Sequence, residues 1–205
     1  VGPSTSAFAG QIDGQIITGP LFDALDNEGA TLDIYSYHMY NHDYISTENY
    51  INAEKDLLAR YPNLKFWVSE VNDAPIPNYA DERNAAWFGR YVTLQILERA
   101  TNYISFFSLS TNEARATRED GSFIRPSLNA ISRYDIKKAV YNTLIQLSKM
   151  GGTQIEHIQT GNPDIYGFST KDSRGSVYVF LTSYGSSPET TKVNIKINNP
   201  PQGLV

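Results

Sequence analysis

The stretch Leu64-Lys65-Phe66-Trp67-Val68-Ser69-Glu70 decides how the whole sequence is read. It is rich in aromatic and β-branched side chains, holds no Gly, Pro or Asn, and is too short for an amphipathic helix. It predicts a buried strand with an acid where the strand ends. Outward from it the hydrophobic period changes on both sides. Upstream, residues 48–60 follow Ser46 or Thr47 as a cap and carry Tyr50, Ala53 and Leu57, with Tyr61 beyond, at helical spacing. Downstream, a Pro- and Asn-rich loop over 72–80 leads to a helix expected at 82–99, capped by Asp81, with Trp87, Tyr91, Leu94 and Leu97 as its buried stripe. One step further out, Asp33-Ile34-Tyr35-Ser36-Tyr37-His38-Met39-Tyr40 and residues 103–109 read as flanking strands. A strand over 1–6, a helix near 18–27 before Gly29, and a helix over 135–150 stopped by Gly151-Gly152 complete the series. This alternation predicts an α/β fold with a parallel sheet. The loop over 110–132 is too long for a plain connection, and long loops inside compact domains are usually functional.

After Gly152 the helical period disappears. Short β-rich runs at 153–159, 164–170, 175–183 and 190–197 are separated by the turn formers Asn162-Pro163, Ser173-Arg174-Gly175 and Gly185-Ser186-Ser187-Pro188. Residues 152–205 are therefore expected to form a small all-β, sandwich-like domain, and residues 1–151 the α/β part.

Composition narrows the function. The 205 residues are 40% hydrophobic and 19% charged, as in folded domains. A net charge of −5 argues against electrostatic nucleic-acid binding, which needs a basic face. With no cysteine, thiol nucleophiles and thiolate metal sites are excluded. No apolar run is long enough to span a membrane. The opening Val1-Gly2-Pro3-Ser4 carries neither initiator Met nor signal peptide, so a fragment or processed product is expected. The 14 Tyr suit sugar stacking and hydrogen bonding, though Tyr is equally at home in β-rich cores.

Functional groups of parallel barrels gather at the C-terminal ends of strands. Those ends carry His38, Tyr40, Asn41, His42 and Asp43; Ser69, Glu70, Asn72 and Asp73; and Ser108, Ser110, Asn112, Glu113 and Arg115. Glu70 is the chief candidate, because a carboxylate where a buried strand opens is costly unless hydrogen-bonded or used. A salt-bridged or solvated strand-end Glu is the plain alternative. His38 and Tyr40, two residues apart, share a strand face and present a ring nitrogen and a phenol to one ligand or to a carboxylate. Two separately packed side chains would leave the same trace. His38, His42 and a carboxylate lack a convincing metal-site spacing, so no metal and no cofactor are expected. A phosphate-cradling loop and a Gly-x-Ser-x-Gly elbow are both missing.

In order, these segments resemble the second half of a clan A glycoside hydrolase of family 39 type; agarase- and porphyranase-type families share the layout. Val1-Gly2-Pro3-Ser4-Thr5-Ser6 is similar to the fifth barrel strand, Asp33–Tyr40 to the sixth with its Asp-x-x-Ser-x-His-x-Tyr pattern, and Phe66-Trp67-Val68-Ser69-Glu70-Val71-Asn72 to the seventh, which ends in the nucleophile. Residues 103–109 fall at the eighth. Lys137-Lys138-Ala139-Val140-Tyr141-Asn142-Thr143-Leu144 resembles the Lys-Pro-x-Tyr-x-x-Leu opening of the last barrel helix, with Ala139 in place of Pro.

The resemblance implies part of a TIM (β/α)8 barrel, strands five to eight, followed by the β-domain. It implies a retaining glycosidase, secreted or periplasmic, acting on a poly- or oligosaccharide with Glu70 as nucleophile. His38, Tyr40, Asn41, Asn72, Phe107, Asn112, Glu113 and Arg115 would then serve substrate binding. Two departures stand out. Phe106-Phe107-Ser108 replaces the Trp that usually floors the subsite, so that either a Phe takes the stacking role or the subsite differs. The acid/base Glu belongs to the fourth strand, which would precede Val1, and that role is not transferred to Asn112-Glu113. The missing half of the barrel is expected upstream or as a partner. A non-catalytic carbohydrate-binding fragment or inactive barrel remnant is the alternative.

Overall fold

A computed structural model of the chain describes residues 2–5, 11–12, 15–16, 18–40, 44–72, 81–98, 101–107, 109, 130–131, 135–157, 161–185 and 192–198. In chain order these form β1 (Gly2–Thr5), the short pair β2 (Gln11–Ile12) and β3 (Gln15–Ile16), α1 (Thr18–Glu28), β4 (Ile34–Tyr40), α2 (Tyr44–Arg60), β5 (Lys65–Asn72), α3 (Asp81–Glu98), β6 (Tyr103–Phe106) and α4 (Ala139–Ser148). Three strands follow: β7 (Thr153–Ile155), β8 (Ile165–Lys171) and β9 (Val177–Ser183). No described helix is long and apolar enough to cross a membrane.

β1, β4, β5 and β6 make one four-stranded parallel sheet in sequence order. Alternation along β4 sends Tyr35, Tyr37 and Met39 into a core with Phe66, Val68 and Val71 of β5. The same core receives Phe22 from α1, Leu57 and Leu58 from α2, Trp87, Phe88 and Tyr91 from α3, and Val140 and Leu144 from α4. All four helices thus feed one continuous core against one face of the sheet. A doubly wound sheet would divide them between two faces.

β7, β8 and β9 form a separate antiparallel sheet. It packs on α3, and the contact explains a glycine inside that helix. A Cβ on Gly89 would lie 3.1 Å from Phe180 and from Thr182 of β9. Arg90, fully buried, lies 5.0 Å from the Tyr166 ring centre and 5.9 Å from that of Tyr184. Arg83 donates to the Tyr184 hydroxyl at 3.1 Å. The turn from α4 into β7 uses Gly152 at φ 88°, where a Cβ would meet the Lys171 carbonyl at 2.1 Å.

Several expectations are corrected. α2 starts at Tyr44, so Ser46 and Thr47 lie inside it and cannot cap it. Its fully buried positions include Ile51 and Glu54, while Leu57 is only half-buried. β6 stops at Phe106, short of residue 109. On α3 the expected stripe is wrong at its end: Leu97 is exposed, whereas Asn84, Arg90 and Gln95 are buried. Residues 192–198 form no strand, and Val193 and Ile195 are exposed. Most of the 110–132 loop lies outside the described residues.

Candidate active site

The site grows from an irregularity in β5. Against β4, Tyr37 faces Val68 but His38 faces Glu70, so one step on β4 spans two on β5. Against β6, Ile104 faces Val68 and Phe106 faces Val71, so two steps span three. Both neighbours locate one extra residue in β5 between Val68 and Val71. This bulge has a direct consequence for side-chain direction. Regular alternation from Phe66 and Val68 would point Glu70 at the helices. The extra residue lets Val71 resume the core-facing series and leaves Ser69 and Glu70 together off it.

On the face away from the helices, the Ser36 hydroxyl donates to the Ser69 hydroxyl at 2.9 Å, and Ser69 donates on to the Tyr37 carbonyl at 3.3 Å. One register step further, His38 Nδ1 lies 3.4 Å from a Glu70 carboxylate oxygen, with both side chains partly open to solvent. Imidazole and carboxylate thus meet across adjacent strands, an ion pair whenever the ring is protonated. Asn72 is buried, and its side-chain amide donates to the Phe107 carbonyl. The Phe107 amide in turn donates to the Val71 carbonyl at 3.0 Å. The end of β5 is so fastened to the segment leaving β6. Phe106 packs against Phe88 on the helix side, ring centres 5.0 Å apart, and alternation assigns half-buried Phe107 to the face of Glu70. Trp67 and Tyr103, 5.5 Å apart, continue that face toward the start of the strands.

Of the residues expected at the site, His38, Glu70, Asn72 and Phe107 are brought together at adjacent strand ends. Tyr40 closes β4 opposite Asn72 in the register, but its side chain lies outside the described residues. Asn41, Asn112, Glu113 and Arg115 lie outside them altogether. Among the described residues no three His, Asp or Glu side chains converge on a metal-sized site.

Behind the sheet lies a polar group that the sequence did not announce. Glu54 of α2 is fully buried and accepts from the Tyr37 hydroxyl and, at 2.9 Å, from the Thr101 hydroxyl. Gln95 of α3 donates to the Tyr91 hydroxyl at 3.2 Å. Burial raises the Glu54 carboxyl from 4.5 to about 7, against the lowering pull of its hydrogen bonds. Burial likewise pushes the Tyr37 phenol well above its ordinary range, so it remains a donor.

No family model matches the sequence, and no curated protein matches it. Solved structures do. A glucosidase from Croceicoccus marinus matches over 89% of this chain with a TM-score of 0.68 and 13% identity. A GH39 enzyme from Xanthomonas axonopodis pv. citri matches over 84% at 0.60 and 13% identity, and a GH39 β-xylosidase from Caulobacter crescentus over 76% at 0.54 and 12% identity. The chain spans only 39%, 35% and 34% of those three chains. At such identities the likeness is one of fold, and it agrees with the expected α/β class.

Proposed function

We propose that this chain supplies strands five to eight of a (β/α)8 barrel, a trailing β-domain, and the nucleophile of a retaining glycoside hydrolase. The observation that carries the reading is the Glu70–His38 pair on the face away from the helices, at the C-terminal end of the parallel strands, where barrel enzymes keep their chemistry. Three further features support it. The sheet runs in sequence order with its helices in one core, as a barrel does. Parallel sheets normally have both faces covered, and among the described residues the helices cover only one, which calls for further strands. The structural neighbours are a glucosidase and a β-xylosidase, and the chain amounts to about a third of each.

In this reading ionised Glu70 attacks the anomeric carbon and forms a glycosyl-enzyme. A carboxylic acid from the other half of the barrel, about 5 Å across the cleft, protonates the departing oxygen and then activates water. His38 fixes the direction of the Glu70 carboxylate. Phe107 offers a stacking surface, and Tyr40, Asn41, Asn112, Glu113 and Arg115 are the further sugar-binding candidates that the sequence resemblance supplies.

Glu70→Gln in the full-length protein removes the nucleophile with almost no change in shape. Turnover of 4-nitrophenyl β-D-xyloside and β-D-glucoside should fall by about 10⁴-fold or more, since a covalent path is lost. Activity within a few-fold of the parent would end the proposal.

A further inference from the structure

Among the described residues the mechanism leaves one buried acidic group unused. Glu54 sits on the helix side of the sheet, out of reach of any sugar, yet it holds α2, β4 and the entry to β6 through one carboxyl. Its partner Tyr37 is the last residue of β4 before the register slips. Tyr37 is therefore held from both sides: its hydroxyl by Glu54, its carbonyl by Ser69, the extra residue of the bulge. The next residue on β4 is His38, and the next on β5 is Glu70. An apolar residue at position 54 would fill the same space without fixing the rotation of the Tyr37 ring or the height of its backbone.

We propose that Glu54 is a positioning residue which, through Tyr37, holds the β5 bulge in register and so sets the separation of His38 and Glu70. The proposal rests on the hydrolase reading of Glu70 given above. Its claim is mechanical: the hydrogen bonds at residue 54 govern where the reacting carboxylate stands, leaving substrate affinity alone.

The test uses four variants of the full-length protein, Glu54→Leu, Glu54→Gln, Tyr37→Phe and Glu70→Gln, with 4-nitrophenyl β-D-xyloside or β-D-glucoside, whichever the parent cleaves. Each is assayed at least ten degrees or so below its own unfolding midpoint, so that lost stability is kept apart from lost positioning. Glu54→Leu and Tyr37→Phe should lower kcat about tenfold or more with KM within about twofold, as expected for a displaced catalytic group. Glu54→Gln keeps an acceptor oxygen for Tyr37 and Thr101 and should restore kcat to within about threefold of the parent. Unchanged kcat in Tyr37→Phe, the smallest of these changes, overturns the proposal while a silent Glu70→Gln leaves the hydrolase reading standing. A Glu54→Gln variant as impaired as Glu54→Leu overturns it equally. An active Glu70→Gln removes the premise, and the proposal with it.

Discussion

Ser69 decides which way Glu70 looks. Were the same residues paired without the bulge, the period of two would turn the carboxylate into the helix-side core, where an unpaired charge costs several kcal/mol. The sequence made Glu70 legible through its place at a strand end. It did not show the bulge, because Ser69 is no less at home in a regular strand. Glu54 was hidden for a different reason. Among Lys55, Asp56 and Arg60 it reads as one more solvated charge on α2. Its raised carboxyl gives it a testable signature. The folded state keeps a proton that the unfolded chain has lost between 4.5 and about 7. The stabilisation is complete below the lower value and disappears as pH rises through the upper one, a swing of about 3 kcal/mol. Urea midpoints at about pH 5 and about pH 8 should differ in the parent and converge in Glu54→Gln once the ionisable group is gone.

At the scale of elements, α3 is the instructive case. A helix with sheet on both sides has no free face, and Asn84, Arg90 and Gln95 are buried where an amphipathic reading leaves them in water. The helix itself was legible from Trp87 and Tyr91, which stack 5.5 Å apart in the core. Its second buried side was not, because that side depends on a sheet some 90 residues away in sequence, from Gly89 to Phe180 and Thr182. Gly89 is the sequence mark of that contact. Gly89→Val should wedge α3 away from Phe180 and Thr182 at a cost of about 1–3 kcal/mol. Amide exchange should quicken in β8 and β9 before it does in β4 and β5. The segment over 192–198 failed as a strand although Val193, Ile195 and Ile197 alternate properly, since alternation names a face and not the partner that must cover it.

For the molecule as a whole, what matters is the surface left without a neighbour. β1 and β6 are the edges of the described parallel sheet, and Tyr103 is half exposed on the face shared with Trp67. Unpaired edges beside an apolar face invite other strands. Residues 1–205 produced alone should associate in sedimentation experiments, and addition of the remaining barrel segment in trans should suppress that association. Persistence of a clean monomer would speak against a half barrel. The winding carries one more implication. Because β1, β4, β5 and β6 sit side by side in the order in which they are synthesised, each of these strands after β1 meets a neighbour already in place as it leaves the ribosome. The trailing sheet comes later than its seat on α3, so strands translated after that helix is complete are the ones that lock it down.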